Sequence, residues 1–191
     1  MKYEVIDNFL DKEYFDNLVT RFTDKEKTGN IVMPWYFASN IAYDKVVEDK
    51  IFFFCHMFYS NNVPQSPLYN ELIPLLDKLE MKCLIRIKGN LYPNTHKLHE
   101  HPMHVDFPMY MPKIKYGVTD SSTSAALLSL NTCDGYTKLK DGTKIDSVAN
   151  RILLFDPTEE HCSTTTTNVP ARININFNYI NEEQSNWINK K

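Results

Sequence analysis

A strict alternation of apolar and polar residues runs through positions 172–179. Every second residue is apolar, namely Ile173, Ile175, Phe177 and Tyr179. The residues between them are polar, namely Arg172, Asn174, Asn176 and Asn178. Side chains alternate between the two faces of a β-strand, so this pattern predicts a strand with one apolar and one polar face. A strand facing only solvent would more often carry Lys, Glu or Thr, and three Asn beside an Arg therefore indicate a polar interior at the mouth of a barrel.

The remaining sequence predicts several short strands and two early helices. The strands are predicted at 3–10, 83–92, 124–130 and 151–155. Asp-Gly at 141–142 predicts a hairpin with a tight type I′ turn. One helix is capped by Asp11, and the second begins at Ser66-Pro67 and runs to near Met81. This combination predicts a mainly β fold, a double-stranded β-helix (a cupin-like jelly roll), with flanking helices packed on one sheet.

Length and charge limit the kind of protein that this chain can be. With 191 residues it fits a single domain spanning 1–191. We expect a supporting region at 1–82, a catalytic core at about 83–180 and a short polar tail at 181–191. The net charge is −3, and no block of Lys and Arg stands out. A nucleic-acid partner is therefore disfavoured.

The expected location is the cytoplasm, or the host cytoplasm if the protein is viral. No apolar run approaches the 18 or so residues that span a bilayer, so no membrane association is expected. The first residues lack the apolar centre of a secretory signal. The cysteines are scattered, which favours free thiols in a reducing compartment. They are Cys55, Cys83, Cys133 and Cys162.

The residues with the clearest chemical meaning are His104, Asp106, His161 and Arg172. A His and an Asp two residues apart in a strand point to the same side, and a second, distant His would complete a two-His-one-carboxylate metal site. The guanidinium fork of Arg172 suits a carboxylate. A metal triad followed by such an Arg predicts that the metal binds a keto acid and that Arg172 holds its far end.

The ordered set of motifs resembles the 2-oxoglutarate/Fe(II)-dependent oxygenases, in particular their prolyl-4-hydroxylase-like branch and members carried by phages and marine microbes. The matching segments are His104-Val105-Asp106, His161, Tyr92-Pro93-Asn94-Thr95, Gly135-Tyr136-Thr137, the run from Asn150 to Asp156, and the run from Arg172 to Phe177.

The resemblance implies that His104, Asp106 and His161 bind Fe(II) and that 2-oxoglutarate and O2 are co-substrates. It also implies that Arg172 binds the distal carboxylate of 2-oxoglutarate, with Tyr92 as a further donor. Asn174, two residues beyond Arg172, is a candidate for binding the co-substrate or an ordered water.

The resemblance also suggests the reaction. Related halogenases have a small residue in place of the metal-binding carboxylate, so Asp106 implies hydroxylation of a C–H bond, with release of succinate and CO2. The expected substrate is a peptidyl proline, another amino-acid side chain or a small molecule. Relatives often carry a Tyr on the middle strand of the co-substrate pocket, but residues 127–131 contain none. Ser129 or another group must take its place.

Two other functions are compatible with the residues alone. One is a jelly-roll binding or structural protein in which the His-rich stretch is incidental. The other is a zinc-dependent hydrolase with Glu100 or Glu160 as general base. A zinc site made of His99, His101 and His104 is disfavoured, because on one strand His104 would face away from the other two.

Overall fold

The computed structural model describes residues 3–23, 33–39, 52–106 and 123–181. The helices within them are α1 (Lys12–Thr23), a 3₁₀ helix (Pro67–Leu72) and α2 (Ile73–Lys78). The strands are β1 (Tyr3–Ile6), β2 (Tyr36–Ala38), β3 (Phe53–Ser60), β4 (Val63–Pro64), β5 (Cys83–Pro93), β6 (Thr123–Ser129), β7 (Tyr136–Leu139), β8 (Lys144–Asp146), β9 (Ile152–Phe155), β10 (His161–Ser163) and β11 (Ala171–Ile180). The predicted polar tail lies outside the described residues from position 182 onward.

The strands form two antiparallel sheets. The major sheet has the order β1-β9-β6-β11-β5-β3-β2, with β4 paired to β3, and the minor sheet has the order β10-β7-β8. An apolar cluster joins the two sheets, in which Leu139 of the minor sheet packs with Leu153 and Phe155 of the major sheet. Two sheets enclosing a shared interior confirm the predicted jelly roll.

The helices cover the outer face of the major sheet. Phe15 and Leu18 of α1 and Leu75 of α2 belong to the same buried cluster as Ile175 and Phe177 of β11. Burying each such side chain contributes about 1.5–3 kcal/mol. The apolar half of the β11 alternation therefore faces the helices, and its polar half faces the space between the sheets, as predicted.

Strand β11 lies at the centre of the major sheet, between β5 and β6. In the β5 register, polar residues of the two strands lie opposite each other, and side chains paired in this way project from the same face. We call this set the polar ladder. Its pairs are Arg172 with Tyr92, Asn174 with Asn90, Asn176 with Lys88, and Asn178 with Arg86.

Strand β1 is shorter than predicted, because the backbone of residues 7–10 finds a different partner. It ends at Ile6, and Asn8 adopts a positive φ of 52°. The Leu10 N–H donates to Oδ1 of Asn150 at 2.8 Å, and Nδ2 of Asn150 donates to the Leu10 carbonyl at 2.9 Å. A side-chain amide thus replaces a strand partner.

The second helical segment also differs from its prediction. Ser66 caps it as expected, accepting from the Leu68 N–H at 3.2 Å. Its first six residues form a 3₁₀ helix and α2 ends at Lys78 rather than near Met81. Pro74 has no N–H to donate to the preceding turn, which restricts the α-helical hydrogen bonds to the residues after it.

The hairpin at 140–143 is confirmed, but its predicted type I′ turn is wrong. A type I′ turn needs positive φ at both central residues, whereas only Gly142 has one, at 88°. The Leu139 N–H donates to the Thr143 carbonyl at 2.9 Å. Asp141 keeps a negative φ and accepts from the Thr143 N–H at 2.9 Å. This is the three-residue loop that ends in a left-handed glycine.

Two further features are the state of the cysteines and the character of the helices. The four cysteines are free thiols, as predicted. Among the described residues, no helix has the length and apolar character needed to cross a membrane.

We predict that Asn150→Ala lowers the free energy of unfolding by about 2–3 kcal/mol, because it leaves the buried N–H and carbonyl of Leu10 without partners. Urea denaturation measures this change. Asn8→Ala is the matched control, since Asn8 also has a positive φ but is exposed. Equal losses in the two variants would attribute the effect to backbone strain and contradict the prediction.

Candidate metal centre

Backbone pairing brings His104 and His161 together. Each N–H donates to the carbonyl of the other at 2.9 Å, and the ring centroids lie 4.7 Å apart. His161 begins β10, whereas His104 forms an isolated bridge. The segment before Asp106 is therefore not the regular strand that was predicted, but its pairing with β10 gives the same convergence.

Backbone carbonyls fix the tautomer of both rings. Nδ1 of His104 lies 3.2 Å from the Pro102 carbonyl, and Nδ1 of His161 lies 3.0 Å from the Glu159 carbonyl. A carbonyl only accepts, so each Nδ1 is the donor, and in the neutral ring Nε2 keeps its lone pair. Burial lowers the pKa of His104, and the neighbouring His161 adds to this effect. This is the usual arrangement of a metal-binding imidazole.

Asp106 completes the triad and is held by three side chains. Its Oδ2 accepts from the amides of Asn176 at 2.9 Å and Asn178 at 2.8 Å, and its Oδ1 lies 3.3 Å from the guanidinium of Arg86. Burial alone would raise the pKa of Asp106, but His161, Arg86 and the Asn176 amide are among the groups that hold it well below its usual range. The carboxylate is therefore ionised and fixed in orientation.

The three residues fit a divalent metal ion. Their ligand atoms all lie within 4.8 Å of one another, and Oδ1 of Asp106 is 3.8 Å from Nε2 of His161. Two neutral imidazoles and one carboxylate are a donor set that Fe(II) accepts. Across the described part of the chain, no other group of three or more such residues comes this close together.

His101 has a different role from the triad. Its Nδ1 lies 2.7 Å from the Ser163 hydroxyl, and its ring packs against Tyr92 with centroids 5.1 Å apart. Burial lowers the pKa of His101 to about 3, and the charge of Arg172 adds to this effect. His101 is therefore neutral and packs behind Tyr92, which agrees with the argument against a zinc site made of neighbouring histidines.

Arg172 is buried with only neutral contacts. It is 1% exposed, and its guanidinium donates to the Thr137 hydroxyl at 2.8 Å and to the Thr164 carbonyl at 3.3 Å. It lies over the Tyr92 ring at 5.6 Å, and its Nε has no hydrogen-bond partner. Burial lowers the pKa of Arg172. Among the described residues, no carboxylate lies within ion-pair distance of this guanidinium.

Gly135 provides the space that Arg172 occupies. A Cβ added at Gly135 would lie 2.7 Å from Cδ of Arg172 and 2.7 Å from the Thr165 carbonyl oxygen. Any other residue at position 135 would displace the arginine or the backbone beside it.

Tyr92, Asn174 and the triad line one pocket. The pocket contains about 460 Å³ of space, part of which is open to solvent. Burial raises the pKa of Tyr92, so its hydroxyl stays protonated and can donate. Asn174 accepts from Asn90 at 2.9 Å, and its own Nδ2 has no partner. The structure thus brings all six predicted site residues to one region between the sheets.

Ser129, the candidate substitute for the middle-strand Tyr, is not a hydrogen-bond partner of Arg172 among the described residues. Ser129 lies opposite Asn174 on β6, and it does not line the pocket. Among the described residues, the hydroxyl that Arg172 reaches is that of Thr137, on the minor sheet. The hydroxyl beside the guanidinium of Arg172 therefore comes from the facing sheet.

Sequence reasoning missed two cations of the polar ladder, Arg86 and Lys88. Lys88 lines the pocket, and burial lowers its pKa to about 8, with the charge of Arg86 adding to the effect and that of Asp106 opposing it. A signal for both was present, since polar residues recur at every second position from Arg86 to Tyr92.

Neither carboxylate proposed as a hydrolytic base lies in the pocket. Glu100 accepts from the Tyr136 hydroxyl at 2.5 Å and from Lys138 at 2.8 Å. Glu160 is exposed, and its carboxylate is 3.6 Å from the ammonium of Lys140. Among the described residues, Asp106 is the one carboxylate that lines the pocket.

We predict that Asn176→Ala and Asn178→Ala each weaken Mn(II) binding by about 10- to 100-fold, because Asp106 loses a donor that orients it. Isothermal titration with Mn(II) measures the affinity. Asn174→Ala is the control on the same face of β11, because its amide contacts Asn90 rather than Asp106. An equal loss in all three variants would contradict the positioning role.

Neither the family models nor the curated proteins contain a match to this chain. Solved structures do match. A Pseudomonas putida prolyl-4-hydroxylase has 14% identity and a TM-score of 0.60, with 94% of this chain and 92% of that chain covered. A Trichoplax adhaerens prolyl hydroxylase, solved in complex with a hypoxia-inducible-factor peptide, has 13% identity and a TM-score of 0.58, with 99% and 87% covered.

A Burkholderia pseudomallei oxidoreductase of the 2OG-Fe(II) oxygenase family has 11% identity and a TM-score of 0.58, with 93% and 84% covered. The likeness to the phage and marine members stays a prediction. The chain has the fold of the prolyl-4-hydroxylase-like 2-oxoglutarate/Fe(II) oxygenases.

Proposed function

We propose that this protein is an Fe(II)- and 2-oxoglutarate-dependent dioxygenase that hydroxylates a C–H bond. The observation that carries the proposal is the pairing of two features in one interior. One is a His-Asp-His triad with both Nε2 atoms available. The other is Arg172, which is buried without an acid partner among the described residues.

Arg172 is suited to bind the distal carboxylate of 2-oxoglutarate. A buried guanidinium without a counter-ion is costly, and a bound carboxylate would offset that cost. Arg172 and Asn176 are four residues apart on one face of β11, or about 13 Å by strand rise. The Arg172 side chain covers part of this length, and a ligand several atoms long, such as a five-carbon diacid, would span the rest to the metal.

His104, Asp106 and His161 would hold the metal. The chemistry that Fe(II) supplies when bound is activation of O2, coupled to decarboxylation of 2-oxoglutarate to succinate and CO2. The backbone pairing of the two histidines and the amide contacts of Asp106 hold these ligands in place before any metal arrives. The protein contributes this orientation.

Other pocket residues would bind the co-substrate and exclude water. The protonated Tyr92 hydroxyl and the unpartnered Nδ2 of Asn174 are donors for an acid or an ordered water. Phe53, Leu127 and Phe155 supply apolar walls. Such walls limit the access of water to the reacting atoms.

The proposed substrate is a peptidyl proline, another amino-acid side chain or a small molecule, and the proposed location is the cytoplasm. Two structurally similar proteins are prolyl hydroxylases, and one of them binds a peptide. This supports an amino-acid substrate, although one fold hosts many substrates.

We predict that Asp106→Ala abolishes succinate formation from 2-oxoglutarate, because the metal loses the one anionic ligand that the triad supplies. The assay supplies Fe(II), O2 and pools of peptides and metabolites, and it measures succinate. Asp141→Ala, in the exposed hairpin, is the control. Wild-type turnover by Asp106→Ala would refute the site assignment.

Gly135→Ala is expected to weaken 2-oxoglutarate binding to the Mn(II)-loaded protein by about tenfold, since the added methyl group displaces Arg172. Arg172→Met is the reference for complete loss of the charge and should weaken binding by at least about 30-fold. Gly89→Ala is the matched control, because its Cβ would meet Phe58 and Trp35 at distances of 3.2 and 3.4 Å. Unchanged affinity in Gly135→Ala would show that Arg172 does not bind the co-substrate.

The same preparations test the other two functions. A zinc hydrolase would contain stoichiometric zinc and would act independently of O2. A binding or structural protein would retain no metal, and 2-oxoglutarate would not raise its thermal stability. Mn(II)-dependent binding of 2-oxoglutarate excludes both.

A further inference from the structure

Lys88 is a pocket cation that the proposed reaction leaves unused. It lies on β5 opposite Asn176, one of the residues that donate to Asp106, and it lines the pocket. Its ammonium group lies 5.4 Å from the centroid of the Phe53 ring. This position is close to the metal triad and removed from Arg172, which is paired with Tyr92 further along the two strands.

Lys88 combines partial burial with the absence of an acid partner among the described residues, in contrast to four lysines at the surface. Lys12, Lys138, Lys140 and Lys144 each lie within ion-pair distance of a carboxylate. Lys88 is half-buried, yet among the described residues no carboxylate lies within that distance of it. An ammonium group removed from water without a partner favours binding of an anion.

The charge balance of the polar ladder and the triad points the same way. In this set Arg86 is paired with the ionised Asp106, whereas Lys88 and Arg172 are cations without an acid partner among the described residues. A divalent metal and a doubly charged 2-oxoglutarate carry equal and opposite charges, so both together leave the positive excess unchanged. A further acid group would reduce it.

The surrounding polar atoms are also ready for a ligand. Oδ1 of Asn90, Nδ2 of Asn174 and Oδ1 of Asn176 are buried without partners, and all three residues line the pocket. Buried polar groups nearly always have partners in native proteins, so ordered water or a polar ligand supplies these atoms, and Nδ2 of Asn174 is the one that can donate to a carboxylate.

We propose that Lys88 binds a carboxylate of the primary substrate, so that this enzyme acts on an acid: an acidic side chain or a small carboxylate-bearing molecule. This inference rests on the proposed function and narrows its substrate class. A neutral peptidyl proline would leave Lys88 unpaired.

The test uses the full chain loaded with Mn(II) and saturated with 2-oxoglutarate, and it measures binding calorimetrically. The probes are three acids, each with its neutral counterpart. They are N-acetyl-aspartate α-amide with N-acetyl-asparagine amide, N-acetyl-glutamate α-amide with N-acetyl-glutamine amide, and N-acetyl-proline with N-acetyl-prolinamide.

We expect at least one acid to bind about tenfold more tightly than its neutral counterpart, and Lys88→Met to remove that preference. Lys88→Met should change the affinity for 2-oxoglutarate itself by less than about twofold, a difference smaller than one typical surface ion pair contributes. Lys140→Met is the control for loss of a positive charge on the surface. A retained fold is checked by thermal unfolding of each variant.

Three results would overturn the inference in distinguishable ways. If wild-type protein does not bind 2-oxoglutarate, the proposed function fails and this inference fails with it. If 2-oxoglutarate binds but no acid is preferred over its neutral counterpart, only the inference fails. If Lys88→Met weakens 2-oxoglutarate binding about tenfold, the lysine binds the co-substrate carboxylate instead.

Discussion

Ten residues of β11 pair with β5 in antiparallel register, with one irregularity between Asn178 and Tyr179. This register is the constraint on which the site depends. Because side chains alternate, a slip by one residue would turn Arg172 and the asparagines towards the helices and expose Ile175 and Phe177 to the interior. Burial of those apolar side chains against α1 and α2 contributes several kcal/mol and therefore fixes where the polar residues lie.

The charged residues in this interior differ in how fully other side chains of the protein balance their charge. Asp106 has donors on both oxygens, and such a carboxylate is ionised and immobile before any ligand binds. Arg172 has only neutral partners, and Lys88 has no acid partner among the described residues. In the proposed enzyme the protein would supply an anionic ligand of the metal, whereas the anions for Arg172 and Lys88 would come from the co-substrate and the substrate. Leaving Arg172 and Lys88 without anionic partners lowers the stability of the ligand-free protein and favours the binding of anions.

Much of this arrangement could be predicted from local sequence patterns. The alternation in β11 indicated which residues face the interior, and the ordered His104, Asp106, His161 and Arg172 indicated the site. The extent of β1 could not be predicted, because it depends on Asn150, a residue 140 positions from Leu10. The turn type was wrong because Asp-Gly occurs in more than one kind of hairpin loop. Arg86 and Lys88 were missed although a similar alternation of polar residues marks them on β5.

The three proposed metal ligands and the proposed co-substrate arginine would not by themselves select a substrate. They lie on paired strands or are held by backbone carbonyls and buried amides, so their positions follow from a fold shared by proteins with only 11–14% identity to this chain. Substrate choice must then come from side chains that face the same interior without such a structural duty. Lys88 satisfies this condition: its flexible stem reaches the pocket, its charge is unpaired among the described residues, and neither sheet pairing nor the metal ligands require an ammonium there.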